Sequence, residues 1–166
     1  MAKNKYNKNS RKQKYLNSLP TISLDDAEND ITIRCKFNFS YFTLDPNAGE
    51  NFNEWDQKEL AKLLDKLKEF SKKPLSYWEN EKAGKYPVFV KYDSFPINTD
   101  FQIPKHVPHQ AVWSRFHLEN KVRLIGFVIP HEYKNKRHPT TGEFFDVNTF
   151  YVVFLDKYHK FYKLLN

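Results

Sequence analysis

The sequence predicts an α+β fold, an antiparallel β-sheet with one or two helices packed on one face, preceded by a basic, disordered N-terminal arm. Three observations lead to this prediction. Apolar and polar residues alternate with a period of two in several segments, one helical stripe of leucines follows the first of them, and an excess of lysine marks the start of the chain. Strands that follow a helix in this order are typical of a sheet covered by helices on one side.

Length and composition exclude several classes of protein. The chain has 166 residues, 40% hydrophobic and 28% charged, which suits one globular domain with a tail. It has no apolar run long enough for a membrane span, and its first residues have no apolar core of a signal peptide, so we expect a cytoplasmic protein without a membrane partner. Its only cysteine and its four glycines exclude a disulfide framework and glycine-rich phosphate loops. We expect no cofactor and no metal.

The net charge of +7 is concentrated in the first twenty residues. We assign residues 1–30 to a flexible arm, basic and then acidic, and residues 31–166 to a single α+β domain. The first twenty residues contain no acidic side chain. Their basic side chains are Lys3, Lys5, Lys8, Arg11, Lys12 and Lys14. An arm of this kind either binds nucleic-acid phosphates or is a solvated terminus without a partner.

The first part of the domain predicts a strand followed by a helix. Strict alternation over residues 31–41 predicts a half-buried strand. Asp56 and Glu59 have the spacing of a capping box, and the helix they begin ends before Pro74. One apolar stripe of that helix is formed by Leu60, Leu63, Leu64, Leu67 and Phe70.

The remaining segments predict mainly sheet. Residues 75–78 form a second short helix or a packing loop, and residues 86–92 a strand at a sheet edge because of Pro87. Residues 95–109, with three prolines, predict an extended loop. Two strands, 112–118 and 121–129, are joined by a tight turn at Glu119-Asn120. A polar loop over 130–147 then precedes a buried strand over 149–155.

Histidine and arginine concentrate in the second half of the chain. All six histidines lie between residues 106 and 159. Histidine transfers protons near neutral pH and arginine stabilises phosphoryl charge, so together they can form a metal-free site that cleaves RNA. If the strands alternate regularly, Arg115, His117 and Arg123 lie close together across the hairpin. A purely structural role for these side chains is the alternative.

Metal-dependent and nucleophilic sites have weaker support. The pair His106 and His109 has a chelating spacing, but prolines flank it and no third ligand is indicated, which favours packing. Cys35 lies on the inward face of the first strand, which indicates a core residue. The acid-x-lysine pattern of a metal-dependent nuclease falls outside strands wherever it occurs, at Asp56/Lys58, Glu119/Lys121 and Glu132/Lys134.

Two further groups of cations are predicted to bind nucleic acid. Lys134, Lys136 and Arg137 lie in the polar loop. Lys157 and Lys160 are interleaved with aromatic residues near the C-terminus, and aromatic rings beside cations can stack bases while the cations hold phosphates. Docking of this C-terminal segment onto the core is the alternative.

The run RFHLENKVRLIGFVI, a loop, and then FYVVFLDKYHKFYK resemble the end of the RelE/HigB-like toxin superfamily, over about residues 111–163. The resemblance implies a metal-independent endoribonuclease of toxin–antitoxin type, with RNA or the ribosome as its target and an antitoxin or other protein as its partner. It further implies that Arg115 and Arg123 hold phosphate, and that His159, Lys160 or Tyr162 transfers protons or positions the substrate. The predicted catalytic set is His159, Arg115, Arg123, His117 and Tyr162.

A second function is kept beside this one. From residue 21 onward, 21 basic and 20 acidic side chains nearly cancel, which is less basic than expected of a protein that acts on ribosomes. The alternative is a non-catalytic accessory protein of a mobile-element or defence system, whose arm binds nucleic acid and whose sheet edge binds a protein.

Overall fold

The computed structural model describes residues 10–163, and the chain divides into two units, Met1–Thr32 and Ile33–Asn166. The first unit contains helix α1 (Ser10–Ser18), in which no residue is buried, and a 3-10 turn (Ala27–Asn29) capped by the side chain of Asp26. Within the predicted N-terminal arm, Ser10–Ser18 forms this helix because the stretch contains strong helix formers and neither glycine nor proline. Residues 1–9, with Lys3, Lys5 and Lys8, lie outside the described residues.

The second unit is built around a mixed sheet of five strands. Its helices are α2 (Gln57–Phe70) and α3 (Leu75–Trp78). Its strands are β1 (Lys36–Asn38), β2 (Lys82–Ala83), β3 (Tyr86–Pro87), β4 (Phe89–Lys91), β5 (Val112–Glu119), β6 (Val122–Val128) and β7 (Thr149–Asp156). The sheet has the order β1-β7-β6-β5-β4, and β2 and β3 form a separate antiparallel pair. The predicted α+β class is confirmed.

The pairing of β1 differs from the prediction. It runs parallel to β7, with Phe37 opposite Phe150, whereas the other pairs of the sheet are antiparallel as expected. Parallel neighbours require a long crossover, and here the whole helical region and the central strands lie between β1 and β7 in the chain. The alternation of residues along a strand carries no information about the direction of its neighbour.

Helix α2 forms where the sequence predicts it. Asp56 accepts the backbone N–H of Glu59 at 2.8 Å, and Glu59 accepts that of Asp56 at 3.0 Å, which completes the capping box. Leu63, Leu67 and Phe70 are buried, but Leu64 of the predicted stripe is exposed. The short helix at residues 75–78 is also present, with Leu75 and Trp78 buried.

The two faces of the sheet are covered differently. On one face, side chains such as Phe116, Leu124 and Phe150 belong to one core cluster with residues of α2 and α3, so the helices pack on one side as predicted. On the other face, Trp113 and Phe154 belong to a second cluster. That cluster is completed by Phe101, Phe127, Phe161, Ile125, Val153 and Ala48, with loop residues packed against it.

The strand predicted over residues 31–41 is much shorter in the structure. Only Lys36–Asn38 pairs, while Ile33 and Phe39 are exposed. The N–H of Cys35 donates to the carbonyl of Lys73, outside the sheet, and the N–H of Phe42 donates to the carbonyl of Phe39 in a turn. The alternation therefore extends beyond the ladder at both ends.

The segment 86–92 is divided between two sheets. The N–H of Val88 donates to the carbonyl of Glu81 at 2.9 Å, and this separates β3 from β4. Strand β4 lies at the edge of the sheet, as Pro87 predicts. The hairpin turn lies one residue later than expected, since β5 includes Glu119 and Asn120 takes a φ of 48°.

In residues 10–163 no helix has the length and apolar composition needed to cross a membrane.

Candidate anion-binding site

The predicted arginines and histidine lie together on the face of the sheet opposite the helices. In the ladder between β5 and β6, His117 is opposite Arg123, and in the next ladder Arg123 is opposite Asp156 of β7. Arg115 precedes His117 by two residues on β5, which places both side chains on the same face. One row across three strands thus brings together a histidine, an arginine and an aspartate.

Arg115 is held by a tyrosine that the sequence did not indicate. Its Nε donates to the hydroxyl of Tyr92 at 3.0 Å, and Tyr92 is fixed by its own N–H, which donates to the carbonyl of Trp113 at 2.8 Å. The Nη1 atom of Arg115 is buried and has no hydrogen-bond partner among residues 10–163. Burial raises the pKa of Tyr92, against the opposing effect of the Arg115 charge, so its hydroxyl stays protonated at neutral pH.

Arg123 is buried, with 5% of its surface exposed. Its Nη1 donates to the carbonyls of Asn120 at 2.7 Å and Val122 at 2.8 Å, which anchors the guanidinium at the hairpin turn. Its Nε has no partner within the described residues. Burial and then the charge of Arg115 lower the pKa of Arg123 to about 10, so it remains a cation at neutral pH.

His117 is neutral at pH 7 and lies beneath an aromatic ring. Only 8% of it is exposed, and its imidazole stacks on the ring of Tyr86 with centroids 5.6 Å apart. Burial, followed by the charges of Arg123 and Arg115, lowers its pKa to about 4. Its Nδ1 is buried without a partner in the described chain.

His159 is presented by a tight turn after β7. Asp156 is fully buried, and its two carboxylate oxygens accept the N–H groups of Lys160 and Phe161, each at 2.9 Å. The turn gives His159 a φ of 59°, a conformation that a non-glycine residue seldom adopts. Burial and the charge of Arg123 lower the pKa of His159, while Asp156 opposes them, so we expect the imidazole to be largely neutral at pH 7.

The aromatic residues of the C-terminal segment divide between two roles. Tyr162 stacks on Tyr92 with ring centroids 5.6 Å apart, which places it next to the partner of Arg115. Phe161 is buried in the second core cluster, so the docking alternative holds for this residue. Lys157 pairs with Glu59 at 2.5 Å.

The other predicted cations of the second unit do not join this cluster. The Nζ of Lys160 lies over the ring of Tyr158. Lys134, Lys136 and Arg137 follow the end of β6, whereas Arg123 lies at its start. Arg11, Lys12 and Lys14 are on α1 in the first unit.

His106 and Cys35, the alternative candidates for a metal ligand and a nucleophile, have structural partners. The ring of His106 stacks on Tyr41, and its Nε2 lies 3.1 Å from the carbonyl of Tyr41. Cys35 is buried, and its thiol donates to the carbonyl of Phe70 at 3.0 Å. Among residues 10–163, no group of three or more histidine, cysteine, aspartate or glutamate side chains is arranged to hold a metal ion.

Sequence reasoning missed Tyr92 and Tyr86. Both contacts join residues more than twenty positions apart, Tyr92 to Arg115 and Tyr86 to His117. The two tyrosines flank a short edge strand, and its register against β5 decides which side chains they meet. No local pattern contains that register.

The cluster thus contains two arginine cations and two histidines with lowered pKa values. Both arginines and His117 have a buried nitrogen atom without a hydrogen-bond partner in the described chain. Comparison with protein-family models, with curated proteins and with solved structures finds no match to this chain. The chemistry of the site itself therefore carries the functional argument.

Proposed function

We propose that this protein is a metal-independent endoribonuclease of RelE-like toxin type, which acts on RNA in the cytoplasm at the cluster of Arg115, His117 and Arg123. The observation that carries the proposal is the set of three buried atoms without a partner in the described chain, Arg115 Nη1, His117 Nδ1 and Arg123 Nε. A buried donor left unpaired costs about 1–3 kcal/mol, which an acceptor that enters the site recovers. A phosphate provides several acceptor oxygens at once.

The charge of the cluster favours an anion. Two guanidinium groups lie close enough that Arg115 lowers the pKa of Arg123. The acid in the row, Asp156, supplies one carboxylate beside these two guanidinium groups. The positive charge is therefore incompletely neutralised, and a phosphodiester held here is stabilised as negative charge develops on it.

The lowered pKa of His159 leaves its imidazole unprotonated and able to accept a proton. In the proposed reaction, His159 takes the proton of a ribose 2′-hydroxyl, and that oxygen forms a new bond to phosphorus. The bond from phosphorus to the 5′-oxygen breaks, and the leaving oxygen receives a proton from the hydroxyl of Tyr162. The products are a 2′,3′-cyclic phosphate and a 5′-hydroxyl, and proton exchange with solvent restores both side chains.

The remaining residues hold the phosphate during this step. Arg115 and Arg123 donate to the non-bridging oxygens, and His117 donates through Nδ1 when its neutral ring carries the proton there. Tyr92 keeps Arg115 in place through the hydrogen bond to its Nε. Exposed tyrosines beside the cluster, Tyr86 and Tyr162, offer faces on which bases of a single strand can stack.

The test is cleavage of a 5′-labelled single-stranded RNA by the purified full chain. We expect cleavage that EDTA does not abolish, with cyclic-phosphate ends. His159→Ala and Arg115→Gln should each lower kcat/KM by about a hundredfold or more. The matched control is His131→Ala, since His131 is an exposed histidine in the loop after β6. Equal rates for His159→Ala and wild type, or no cleavage by the wild type, would contradict the proposal.

A toxin of this type would arrest growth when expressed and would be held inactive by an antitoxin. Induced expression of the wild type beside His159→Ala therefore tests the proposal in cells. Growth arrest with new RNA ends, by the wild type alone, supports it. The ribosome and an antitoxin are the partners to seek by capture from the arrested cells.

A second function is favoured by the enclosure of the cluster. His117 lies beneath Tyr86 and Arg123 is buried, so little of either side chain is open to a substrate. A site that holds phosphate without cleaving it would make the protein a nucleic-acid-binding accessory protein. RNA binding that is lost in Arg115→Gln, with no cleavage by the wild type, would identify this function.

A further inference from the structure

We infer that an aromatic pocket at the end of β6 binds one nucleobase of the RNA strand whose phosphate occupies the arginine cluster. The inference rests on the proposed function, which supplies the RNA. The pocket has a volume of about 320 Å³, close to the lower end of the range for small-molecule sites. Its aromatic lining consists of Tyr41, Phe127, Tyr133, His138, Phe145 and Tyr151.

One wall of the pocket is a rigid set of three rings. Tyr151 stacks on Phe127 with centroids 4.9 Å apart and ring planes 8° apart. Tyr41 meets both edge-on, at 4.9 Å from Phe127 and 5.6 Å from Tyr151. Tyr41 and Tyr151 are half-buried, so part of each ring remains available to a ligand. The accessible parts of Tyr41 and Tyr151 are thus preformed aromatic faces on which a base can stack.

Further aromatic lining of the pocket comes from the loop that follows β6. Tyr133 and Phe145 meet edge-on with centroids 5.0 Å apart. The N–H of Phe145 donates to the carbonyl of Lys136 at 3.1 Å, which closes this loop on itself. The loop thus contributes two aromatic rings to the lining of the pocket.

His138 gives the pocket a polar contact. Its Nδ1 accepts the backbone N–H groups of Thr140 and Thr141, each at 3.3 Å. An acceptor Nδ1 places the proton of the neutral ring on Nε2. The Nε2–H can then donate to a carbonyl oxygen or ring nitrogen of a base.

Cations of the same loop favour an anionic strand over other flat ligands. The Nζ of Lys136 lies 4.8 Å from the centre of the Tyr133 ring, and Arg137 packs over Phe144. Both cations are exposed, so a phosphate near the pocket can approach them. The loop cations predicted from the sequence therefore border a stacking surface, which is the combination that single-stranded nucleic acid requires.

The pocket and the arginine cluster can be spanned by one strand. Phe127 follows Arg123 by four residues on β6, on the same face, at a distance along the strand of about 13 Å. A single strand that passes over the loop residues covering this face would place a phosphate at Arg123 and a base against Tyr151. The pocket would then decide which bases are accepted near the cleaved bond.

The experiment uses 2-aminopurine riboside 5′-monophosphate, whose fluorescence is quenched when the base stacks. We expect the full chain to quench it, and adenosine monophosphate to compete where ribose 5-phosphate does not. Tyr151→Leu should weaken binding by about five- to a hundredfold, the range for loss of one stacked base. Tyr77→Leu is the control, since Tyr77 is an exposed tyrosine on α3.

Because Tyr151 lies within a strand, His138→Ala provides a second variant at an exposed position, and it should also weaken binding. The inference is overturned by an absence of quenching, by equal competition from ribose 5-phosphate, or by unchanged binding in both variants. Competition by a proline-rich peptide but not by adenosine monophosphate overturns it as well and assigns the pocket to peptide.

RNA cleavage is measured on the same samples, so that the two proposals fail separately. If the wild type quenches the fluorescence but cleaves no RNA, base binding in the pocket is supported and the nuclease proposal is contradicted. If it cleaves RNA without quenching, the nuclease proposal is supported and base binding in the pocket is contradicted. Arg115→Gln should abolish cleavage and leave the quenching of the mononucleotide in place.

Discussion

His117 on β5 and Arg123 on β6 are directly opposite each other in the ladder, and both are buried. A histidine in this position cannot take up a proton without placing a second cation beside a guanidinium in a poorly solvated site. Burial and this neighbour together explain why the pKa of His117 falls to about 4. The neutral ring is thus a consequence of strand register.

The first prediction concerns the pH dependence of stability. The folded protein holds the pKa of His117 at about 4, and the ordinary value is 6.5. Between these values the unfolded chain binds a proton that the folded chain does not, so the free energy of unfolding falls as the pH is lowered through this window. The loss from this residue is on the order of 3 kcal/mol once the pH is below 4.

Urea denaturation at about pH 7 and about pH 4.5 measures this effect. His117→Gln should lose less stability than the wild type between the two conditions, because glutamine does not titrate. His131→Gln, a change at an exposed histidine, should behave like the wild type. An identical loss in wild type and His117→Gln would show that His117 is not held neutral by the fold.

The second prediction is that inorganic phosphate stabilises the fold. An anion that pairs with Arg115 and Arg123 in the folded state alone adds about 2.7 kcal/mol at a hundred times its Kd. For a chain of this size this corresponds to a rise in Tm of about 5–10 °C, measured by differential scanning fluorimetry. Arg115→Gln should show little of this rise.

The control for this prediction is chloride at the same ionic strength, with Lys68→Gln as the matched variant. Lys68 is an exposed cation on α2, which packs on the face of the sheet opposite the cluster. We expect it to respond to phosphate as the wild type does. A rise of the same size in Arg115→Gln would mean that phosphate acts elsewhere on the protein.

The parts of the fold that the sequence predicts are those with local causes. The capping box of Asp56 and Glu59 and the β5–β6 hairpin depend on residues a few positions apart. Alternation was also enough to place Arg115, His117 and Arg123 on one face, because the strands are adjacent and joined by a tight turn. The helices on one side of the sheet follow from the leucine stripe.

The parts that the sequence does not predict depend on distant contacts. Nothing near β1 indicates that it pairs in parallel with β7, or that only Lys36–Asn38 takes part. The same holds for Tyr92, whose hydroxyl reaches Arg115 from the end of another strand. Periodicity indicates which face a side chain occupies, but the partner across that face is set by tertiary packing.

The third prediction is that Cys35 does not react in the folded protein. It is 2% exposed, its thiol donates to the carbonyl of Phe70, and burial raises its pKa to about 12. Since the thiolate is the reactive form, we expect a thiol-specific disulfide reagent to react at least about a thousandfold more slowly than with a free thiol. The same reagent should label one equivalent in denaturant, because the sequence has one cysteine. Fast labelling of the native protein would contradict the buried position.

The fourth prediction concerns Gly126, which allows β6 and β7 to approach each other at a register shift between Ile125 and Gly126. A Cβ at this position would lie 2.1 Å from the carbonyl oxygen of Tyr151 and 2.8 Å from the ring of Phe150. Neither can move without disturbing the ladder. We therefore expect Gly126→Ala to lower the free energy of unfolding by about 3 kcal/mol or more, measured in urea.

Gly142→Ala is the matched control for this change. Gly142 has a φ of 74° in the loop after β6, and a Cβ there meets nothing within 4 Å. The cost is then only that of the left-handed backbone, about 1–2 kcal/mol. Because Gly126 lies between Arg123 and Phe127 on β6, its substitution should also weaken phosphate and base binding, whereas Gly142→Ala should preserve phosphate binding. Equal stability of the two variants would mean that β6 and β7 lie farther apart than these contacts require.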